Sequence, residues 1–232
     1  MSEFKQKQSG DYLISIIIPA YNEEMLVGQT VEAVSTIAGV AQIIVVDDGS
    51  TDHTSQVAEK AGATVLRSDK NLGKGGALNL GLREAIGDII LLVDADLGKT
   101  ALEARKLLDP VIKGQADLTI GRFTSRKRKG GFGLALNLAR KAVRHLTGLN
   151  LEAPLSGQRA LNRKAIAALN NKFASGFAVE VAMIIDLARH GLVIREVPVE
   201  MRHRETDKDF LGFLHRGKQF WDIFWVITSR MF

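Results

Sequence analysis

The chain has 232 residues, of which 46% are hydrophobic and 25% are charged, and it contains no cysteine. This composition is typical of a soluble globular protein with one good-sized core. The lack of cysteine excludes disulfide bridges and thiolate metal sites, and it fits a reducing cytoplasm. No stretch is long and apolar enough for a membrane-spanning helix, and the polar start of the sequence is unlike a signal peptide.

The formal net charge is +5, and its distribution along the chain is uneven. No acidic residue occurs between Asp117 and Glu152. The same segment contains eight basic residues: Arg122, Arg126, Lys127, Arg128, Lys129, Arg140, Lys141 and Arg144. Such a local field favours an anionic partner, which can be a phosphate, a nucleic acid or an acidic membrane surface.

The first hundred residues alternate between apolar runs and amphipathic segments. The apolar runs predict buried strands at residues 14–18, 42–48, 64–68 and 89–93. Helical patterns separate these runs, and Gly62 and Gly87 mark the ends of the second and third helix. Strand and helix in alternation predict an α/β fold with parallel strands and right-handed crossovers.

The rest of the chain predicts a less regular order of elements. We expect helices at residues 102–112, 134–146 and 178–190, and strands at residues 116–122 and 193–201. Residues 124–133 are basic and contain glycine, which is typical of a mobile loop, and residues 150–163 form a turn-rich stretch.

Residues 210–232 contain seven of the fourteen aromatic residues of the chain. These aromatic residues follow helical spacing, with Arg216 and Lys218 between them. A helix of this kind either packs on the core or lies in a membrane interface. The pattern leaves both interpretations open.

Polar residues follow three of the predicted strands, in the stretches PAYNEE (19–24), DDGS (47–50) and DAD (94–96). In an alternating α/β fold these strand ends share one edge of the sheet, where ligands bind. Side chains two apart on an extended chain point the same way, so we expect Asp94 and Asp96 to converge on a divalent cation. Taken alone, the two carboxylates could equally cap the next helix or turn. The other two clusters favour a shared site, in which Tyr21 and Asp48 could bind a nucleotide diphosphate.

The sequence resembles the family-2 glycosyltransferases of GT-A fold in the motifs IIIPAYNEE, VVDDGSTD, NLGKGGALNLGL and VDADL. The motifs SGQRALNR, GFAVEVAM and REVPVEMRHR are similar to those of the dolichyl- or polyprenyl-phosphate hexosyltransferase branch. The resemblance implies a single GT-A domain over residues 1–232 with a mostly parallel central sheet flanked by helices. Its nucleotide-sugar half would be residues 1–121 and its acceptor half residues 122–209, followed by the aromatic helix 210–232.

The resemblance also implies roles for individual residues. Contacts to the nucleotide sugar would come from Pro19, Ala20, Tyr21, Glu23, Asp48, Lys74, Asp94, Ala95 and Asp96. Asp94 and Asp96 would hold Mg²⁺ or Mn²⁺. The catalytic group would be Asp96, Arg122, Glu180 and Arg204, and the acceptor would bind to Arg122, Arg140, Arg204 and Lys208.

Two positions depart from the family pattern. Gly98 stands where members usually carry a glutamine that helps to bind the metal, so we expect fewer protein ligands for the ion. Residues 204–208 (RETDK) replace the family's arginine-glycine-serine-lysine element, which shifts the register of Lys208. These departures bear on the sugar and the acceptor more than on the reaction.

The implied activity is inverting transfer of a hexose from GDP-mannose or UDP-glucose to a polyprenyl or dolichyl phosphate. The protein would be cytoplasmic and peripheral at the cytoplasmic face of the membrane. One alternative keeps the chemistry but uses a soluble sugar or a phosphorylated small molecule as acceptor. A dinucleotide-dependent oxidoreductase is disfavoured, because its glycines belong at the first strand-helix turn. Binding of nucleic acid is disfavoured, because only Phe123 and Phe132 fall in the basic segment.

Overall fold

The computed structural model describes residues 12–124, 133–174 and 178–204. Its strands are β1 (Ile14–Ala20), β2 (Val40–Asp47), β3 (Thr64–Arg67), β4 (Ile89–Leu92), β5 (Leu118–Phe123), β6 (Arg159–Asn162) and β7 (Ile194–Val199). Its α-helices are α1 (Val27–Ser35), α2 (Thr54–Lys60), α3 (Gly73–Glu84), α4 (Arg105–Ile112), α5 (Gly133–Thr147), α6 (Arg163–Ala168) and α7 (Val179–Arg189). A 3₁₀ helix spans Ala95–Ala104.

All seven strands belong to one sheet, in the order β3-β2-β1-β4-β6-β5-β7. Every neighbouring pair is parallel except the two pairs that involve β6. The predicted α/β fold with a mostly parallel sheet flanked by helices is therefore confirmed. Strand β1 lies between β2 and β4, and Ile17 pairs with both Ile44 and Leu92. The carboxyl ends of these three strands consequently meet at one edge of the sheet.

The alternation of side chains along each strand divides the core into two layers. Ile17 packs in the layer that contains α3, α5 and α7, whereas Ile16 packs in the layer that contains α1 and α4. On β5, Leu118 and Ile120 belong to the first of these layers. Arg122 follows them at the same spacing, so its side chain lies on the face of the sheet that α5 and α7 cover.

Strand β6 lies within residues 150–163, for which the sequence predicted a turn-rich stretch and no strand. It is antiparallel to both β4 and β5, and it begins with Arg159, which is completely buried. An arginine at a strand start argues against a buried strand when the sequence is read alone, because arginine is rarely buried. The consequence for the site is direct: the turn before β6 reaches the edge where the parallel strands end.

The segment after β4 also differs from its prediction. The strand ends at Leu92, and Asp96 lies in the first turn of the 3₁₀ helix instead of on an extended chain. Two predictions, the aromatic helix 210–232 and a role for Lys208, fall outside the described residues, as do residues 125–132 of the basic loop. Among the described helices, none has both the length and the apolar character required to cross a bilayer.

Candidate active site

The three polar strand ends meet as expected from the sheet order. The backbone N–H of Asp48 donates to the carbonyl of Ala20 at 2.9 Å, which joins the ends of β1 and β2. The N–H of Val93 donates to the carbonyl of Ile17 at 3.1 Å, which joins β4 to β1. The stretches 19–24, 47–50 and 94–96 thus border one site.

A cluster of three metal-binding side chains lies at this edge. Asp94, Asp96 and His203 each offer one ligand atom, and the three atoms lie within 4.8 Å of one another. His203 Nδ1 lies 2.8 Å from Asp96 Oδ1, and its ring stacks on Phe123 with centroids 5.0 Å apart. Two carboxylates and one imidazole are a donor set that suits Mn²⁺ or Mg²⁺. The residues therefore fit the metal implied by the sequence, with His203 as a third ligand that sequence reasoning missed.

Asp94 is held by two further side chains. Its Oδ1 accepts a hydrogen bond from Lys74 Nζ at 2.7 Å, and its Oδ2 accepts one from Gln158 Nε2 at 2.5 Å. Burial opposes ionisation of Asp94, but the charges of Lys74 and His203 and these hydrogen bonds outweigh it. The pKa of Asp94 consequently lies below its ordinary value, so the group is a carboxylate at neutral pH.

Lys74 connects Asp94 to helix α7. Its Nζ lies 3.0 Å from Glu180 Oε1, and the Glu180 residue is only 7% exposed. Burial disfavours the ammonium form of Lys74, but Asp94 and Glu180 outweigh it and raise the pKa of Lys74. The structure thus brings together three residues that the sequence proposed separately. Their ion pairs fix the geometry between the metal cluster and α7.

The turn Ser156–Gln158 closes this arrangement. A Cβ atom on Gly157 would overlap the Lys74 ammonium and would lie 2.7 Å and 2.8 Å from the two Asp94 carboxylate oxygens. A side chain at residue 157 would therefore displace the Lys74 ammonium or the Asp94 carboxylate from the positions that they hold in the ion pair. The motif SGQ was visible in the sequence as part of a family resemblance, but sequence reasoning gave Gly157 and Gln158 no role.

Arg159 holds the turn Ser156–Gln158 in place through hydrogen bonds of its guanidinium. Its guanidinium donates to the backbone carbonyls of Ser156, Glu180 and Pro154, each at 2.9 Å. Burial lowers the pKa of Arg159, to about 10, so the group stays charged at neutral pH. This buried cation ties the SGQ turn to the first turn of α7, which carries Glu180.

The residues predicted to contact the nucleotide lie on the β1 and β2 side of the site. Tyr21 is 48% exposed and available for stacking. Asp48 is almost buried, and its two carboxylate oxygens accept hydrogen bonds from the N–H groups of Leu72 (2.7 Å) and Gly73 (2.8 Å) at the start of α3. Burial raises the pKa of Asp48, against the effect of these hydrogen bonds. Pro19 and Ala20 end β1, and Ala95 begins the 3₁₀ helix.

Glu23 is a carboxyl group of this site whose surroundings favour its neutral, protonated form. Burial, with further contributions from Asp96, Asp52 and Asp94, raises the pKa of Glu23 to about 7, although Arg204 opposes the shift. Arg204 Nη1 lies 3.6 Å from Glu23 Oε2, an oxygen that has no hydrogen-bond partner within the described part of the chain. The site thus places Arg204 beside Glu23, as a cation next to a partly protonated acid.

Gly98 has a conformational reason to be glycine. Its φ of 51° and ψ of −139° interrupt the 3₁₀ helix, and this combination is essentially restricted to glycine. Its N–H donates to Thr30 Oγ1 at 2.9 Å, and Thr30 in turn donates to the carbonyl of Ala95 at 2.8 Å. The family's glutamine could not adopt this conformation without strain, and His203 supplies a third candidate ligand from another segment.

Two of the four basic residues predicted to bind the acceptor, Arg122 and Arg140, contact Glu152. Arg122 Nη1 lies 3.2 Å from Glu152 Oε2. Arg140 donates from Nε at 2.9 Å and from Nη2 at 2.5 Å to the Glu152 backbone carbonyl. Arg122 follows Gly121, whose N–H donates to the Gln158 carbonyl at 2.8 Å, so it lies at the border of the site. Acceptor binding by Arg122 and Arg140 stays a prediction.

Comparison with known proteins gives matches over most of the chain. Residues 15–169 match the family described as glycosyl transferase family 2. An uncharacterized protein of Methanocaldococcus jannaschii is 31% identical over 201 residues, which cover 83% of this chain and 82% of that protein. Glucosyl-3-phosphoglycerate synthase of Mycobacterium tuberculosis is 32% identical over 230 residues, covering 88% of this chain and 70% of that enzyme.

Solved structures of the same mycobacterial enzyme resemble the fold described above. One contains Mn²⁺, UDP-glucose and phosphoglyceric acid, and it matches with a TM-score of 0.78 and 31% identity over 94% of this chain and 79% of that chain. Another contains Mg²⁺ and UDP, with a TM-score of 0.77 and 28% identity. The fold therefore resembles that of an enzyme whose structures contain a metal ion and a uridine nucleotide.

Proposed function

The chain belongs to glycosyl transferase family 2 and has its GT-A fold, and we propose that it transfers a hexose from a nucleotide diphosphate sugar to a phosphorylated acceptor. The observation that carries the proposal is the cluster of Asp94, Asp96 and His203 at the shared edge of β1, β2 and β4. This cluster lies outside the carboxyl ends of parallel strands, which is where ligands bind in open α/β sheets. A similar enzyme of the same fold binds Mn²⁺ and UDP-glucose.

The donor would lie along residues 1–121, which we assign as the nucleotide-sugar half. Asp48 would recognise the base and Tyr21 would pack against it, while Pro19, Ala20, Glu23 and Ala95 line the path of the ribose and phosphates. Asp94, Asp96 and His203 would hold Mg²⁺ or Mn²⁺, which, when bound, offsets the charge on the departing diphosphate. Lys74 and Arg204 would add positive charge at the same place.

The acceptor would lie in the half formed by residues 122–209. We propose a phosphorylated small molecule, because the similar mycobacterial enzyme binds phosphoglyceric acid together with its sugar donor. Arg122 lies on the face of the sheet covered by α7, the helix that carries Glu180, and a guanidinium suits phosphate oxygens. Arg140 and Lys208 are further candidates for the acceptor, and Glu180 is a candidate for contact with the sugar.

In the proposed reaction the bond between the anomeric carbon and the diphosphate oxygen breaks, and a bond to an acceptor oxygen forms. The electron pair of the broken bond leaves with the diphosphate. If the acceptor oxygen belongs to a phosphate, it is already ionised; if it belongs to a hydroxyl, its proton passes to water as the new bond forms. Inversion at the anomeric carbon stays a prediction, which the anomeric proton coupling constant of the product would test.

A lipid phosphate is the second candidate acceptor. It is favoured by the sequence of residues 210–232, in which aromatic residues and cations have the spacing of an interfacial helix. This acceptor would place the protein at the cytoplasmic face of a membrane. Its chemistry at the sugar is the same, so only the acceptor separates the two candidates.

The test is a transfer assay with the full chain and Mn²⁺. UDP-glucose and GDP-mannose are each incubated with 3-phosphoglycerate, glycerol 3-phosphate or liposomes that contain polyprenyl phosphate, and products are identified by mass spectrometry. We expect nucleotide diphosphate release that requires a phosphorylated small acceptor. Transfer only to the liposomes would replace this acceptor with the lipid, and no transfer to any acceptor from either donor would contradict the proposed activity for these donors.

A further inference from the structure

Glu152 occupies a position that the fold holds in place. It lies in the connection between α5 and β6, and its N–H donates to Glu196 Oε2 at 2.9 Å. The neighbouring N–H of Ala153 donates to Glu196 Oε1 at 2.5 Å. The Glu152 carbonyl accepts both hydrogen bonds from Arg140 described above. The backbone at residues 152–153 is thus fixed from strand β7 and from helix α5.

The side chain of Glu152 has a different environment from its backbone. It is 65% exposed, and its Oε2 lies 3.2 Å from Arg122 Nη1. It is also the first acidic residue after Asp117, at the end of the acid-free basic segment. A fixed backbone with an exposed carboxylate is suited to present a negative charge that another anion can displace.

A bound anion and the Glu152 carboxylate would compete for the same residue, Arg122. Its backbone neighbours on both sides touch the site, because Gly121 donates to the Gln158 carbonyl and Phe123 stacks on His203. Its side chain is 38% exposed, so the guanidinium is accessible. A phosphate bound to this guanidinium would meet the Glu152 carboxylate at the same group.

We propose that the carboxylate of Glu152 occupies the acceptor-phosphate site of its own chain until the acceptor binds. Its carboxylate pairs with Arg122 while no acceptor is bound, and the acceptor phosphate replaces it there. This inference rests on the proposed function, in which Arg122 binds the acceptor. Glu152 then sets how tightly the acceptor binds, since each binding event first breaks the pair of Glu152 with Arg122.

The exposure of the pair makes the exchange feasible. Ion pairs between exposed side chains contribute little to stability, because water and salt screen them. A phosphate brings more charge and more acceptor oxygens to an arginine than a carboxylate does. The resident carboxylate therefore weakens acceptor binding by a modest factor, which we expect to be about twofold to fivefold given the strength of exposed pairs.

The experiment measures binding of 3-phosphoglycerate and inorganic phosphate by calorimetry, without a sugar donor, to the wild type and to Glu152→Gln. Glutamine keeps the size of the side chain and leaves the backbone hydrogen bonds in place. We expect the variant to bind both phosphates about twofold to fivefold more tightly. Asp109→Asn, which removes the same charge from an exposed pair with Lys113 on α4, should leave both dissociation constants unchanged.

A double-mutant cycle separates displacement at Arg122 from a general effect of charge. In an Arg122→Gln background, Glu152→Gln should no longer change the affinity for phosphate. An equal gain in both backgrounds, or weaker binding by the single variant, would overturn the inference. In the transfer assay the single variant should lower the acceptor KM and leave the donor KM unchanged. If the transfer assay shows no turnover but the affinities of the variants for phosphate change as expected, the proposed function is contradicted. Displacement of Glu152 from Arg122 by phosphate is then still supported.

Discussion

The side chain of Gln158 forms two hydrogen bonds to Asp94. Its Oε1 accepts from the Asp94 N–H at 2.9 Å and its Nε2 donates to Asp94 Oδ2 at 2.5 Å. An amide provides a donor and an acceptor on one planar group, so a single residue fixes both the backbone and the carboxylate of Asp94. Groups that orient a metal ligand in this way contribute to metal affinity without touching the metal.

Substitution of Gln158 should therefore weaken metal binding. We expect Gln158→Ala to reduce Mn²⁺ affinity about tenfold, because Asp94 loses its orienting partner and its N–H is left unpaired. Titration of Mn²⁺ followed by electron paramagnetic resonance measures this effect. Gln42→Ala is the matched control, because the Gln42 amide also both accepts and donates: it accepts from Ser15 Oγ and the Ile86 N–H, and it donates to the Glu84 carbonyl. Equal Mn²⁺ affinity of the Gln158 variant and the wild type would refute the role of Gln158.

Removal of Lys74 should reduce stability more than removal of the Glu180 charge does. Lys74→Ala removes the cation that lies between the buried Glu180 and the partly buried Asp94, so we expect the free energy of unfolding to fall by about 3 kcal/mol. Glu180→Gln leaves Lys74 paired with Asp94 and should cost less, about 1 kcal/mol. Urea unfolding of both variants with a chelator present measures the difference. The reverse order of the two losses would show that Lys74 does not stabilise the pair of carboxylates.

His203 should be required for metal binding. We expect His203→Ala to lower Mn²⁺ affinity at least tenfold, because the cluster loses its nitrogen ligand. His190→Ala, at the exposed end of α7, removes a histidine away from the cluster and should leave the affinity unchanged. Isothermal titration with Mn²⁺ distinguishes the two variants. If both bind Mn²⁺ like the wild type, His203 is not a ligand.

Glu23 should make stability depend on pH. Its pKa of about 7 in the folded chain exceeds the ordinary value of 4.5, so the folded state holds the proton more tightly than the unfolded state does. The resulting stabilisation is complete below pH 4.5 and is lost as the pH rises through 7. Relative to Glu23→Gln, the wild type should lose about 3 kcal/mol of unfolding free energy between pH 4.5 and 8. Urea unfolding with a chelator measures this difference, and a difference that is constant over this range would contradict the raised pKa.

Much of the fold could be predicted from the sequence because its signals are local. The apolar runs that became β1, β2 and β4 are short, uninterrupted and followed by turn residues. Strand β6 lacks such a signal, since it has only four residues and starts with Arg159. The burial of Arg159 depends on carbonyl groups of Pro154, Ser156 and Glu180, and the last of these comes from a distant helix.

The difference between local signals and contacts between distant residues also explains which site residues could be predicted. Asp94 and Asp96 could be recognised because they follow a strand directly, and Lys74 and Glu180 because they fall in motifs that resemble a family. His203 lies 107 positions from Asp96, and no spacing rule connects residues that far apart. The sequence feature that could have indicated His203 is the position of the stretch MRHR directly after the last strand. Gln158 was present in a quoted motif, but its role depends on the direction of β6, which the sequence did not reveal.

The antiparallel direction of β6 has a consequence for how the enzyme could change during evolution. Residues that follow the carboxyl ends of β1, β2, β4 and β7 contribute to the site, whereas β6 contributes the residues that precede it. The start of the connection from α5 to β6, residues 148–155, lies outside the sheet, so its side chains can vary while the strands that carry the nucleotide motifs keep their order and register. The turn Ser156–Gln158 holds Asp94 and has to be kept, so under the acceptor site proposed above, exchange of the side chains of residues 148–155 between homologues should alter acceptor preference with the donor retained.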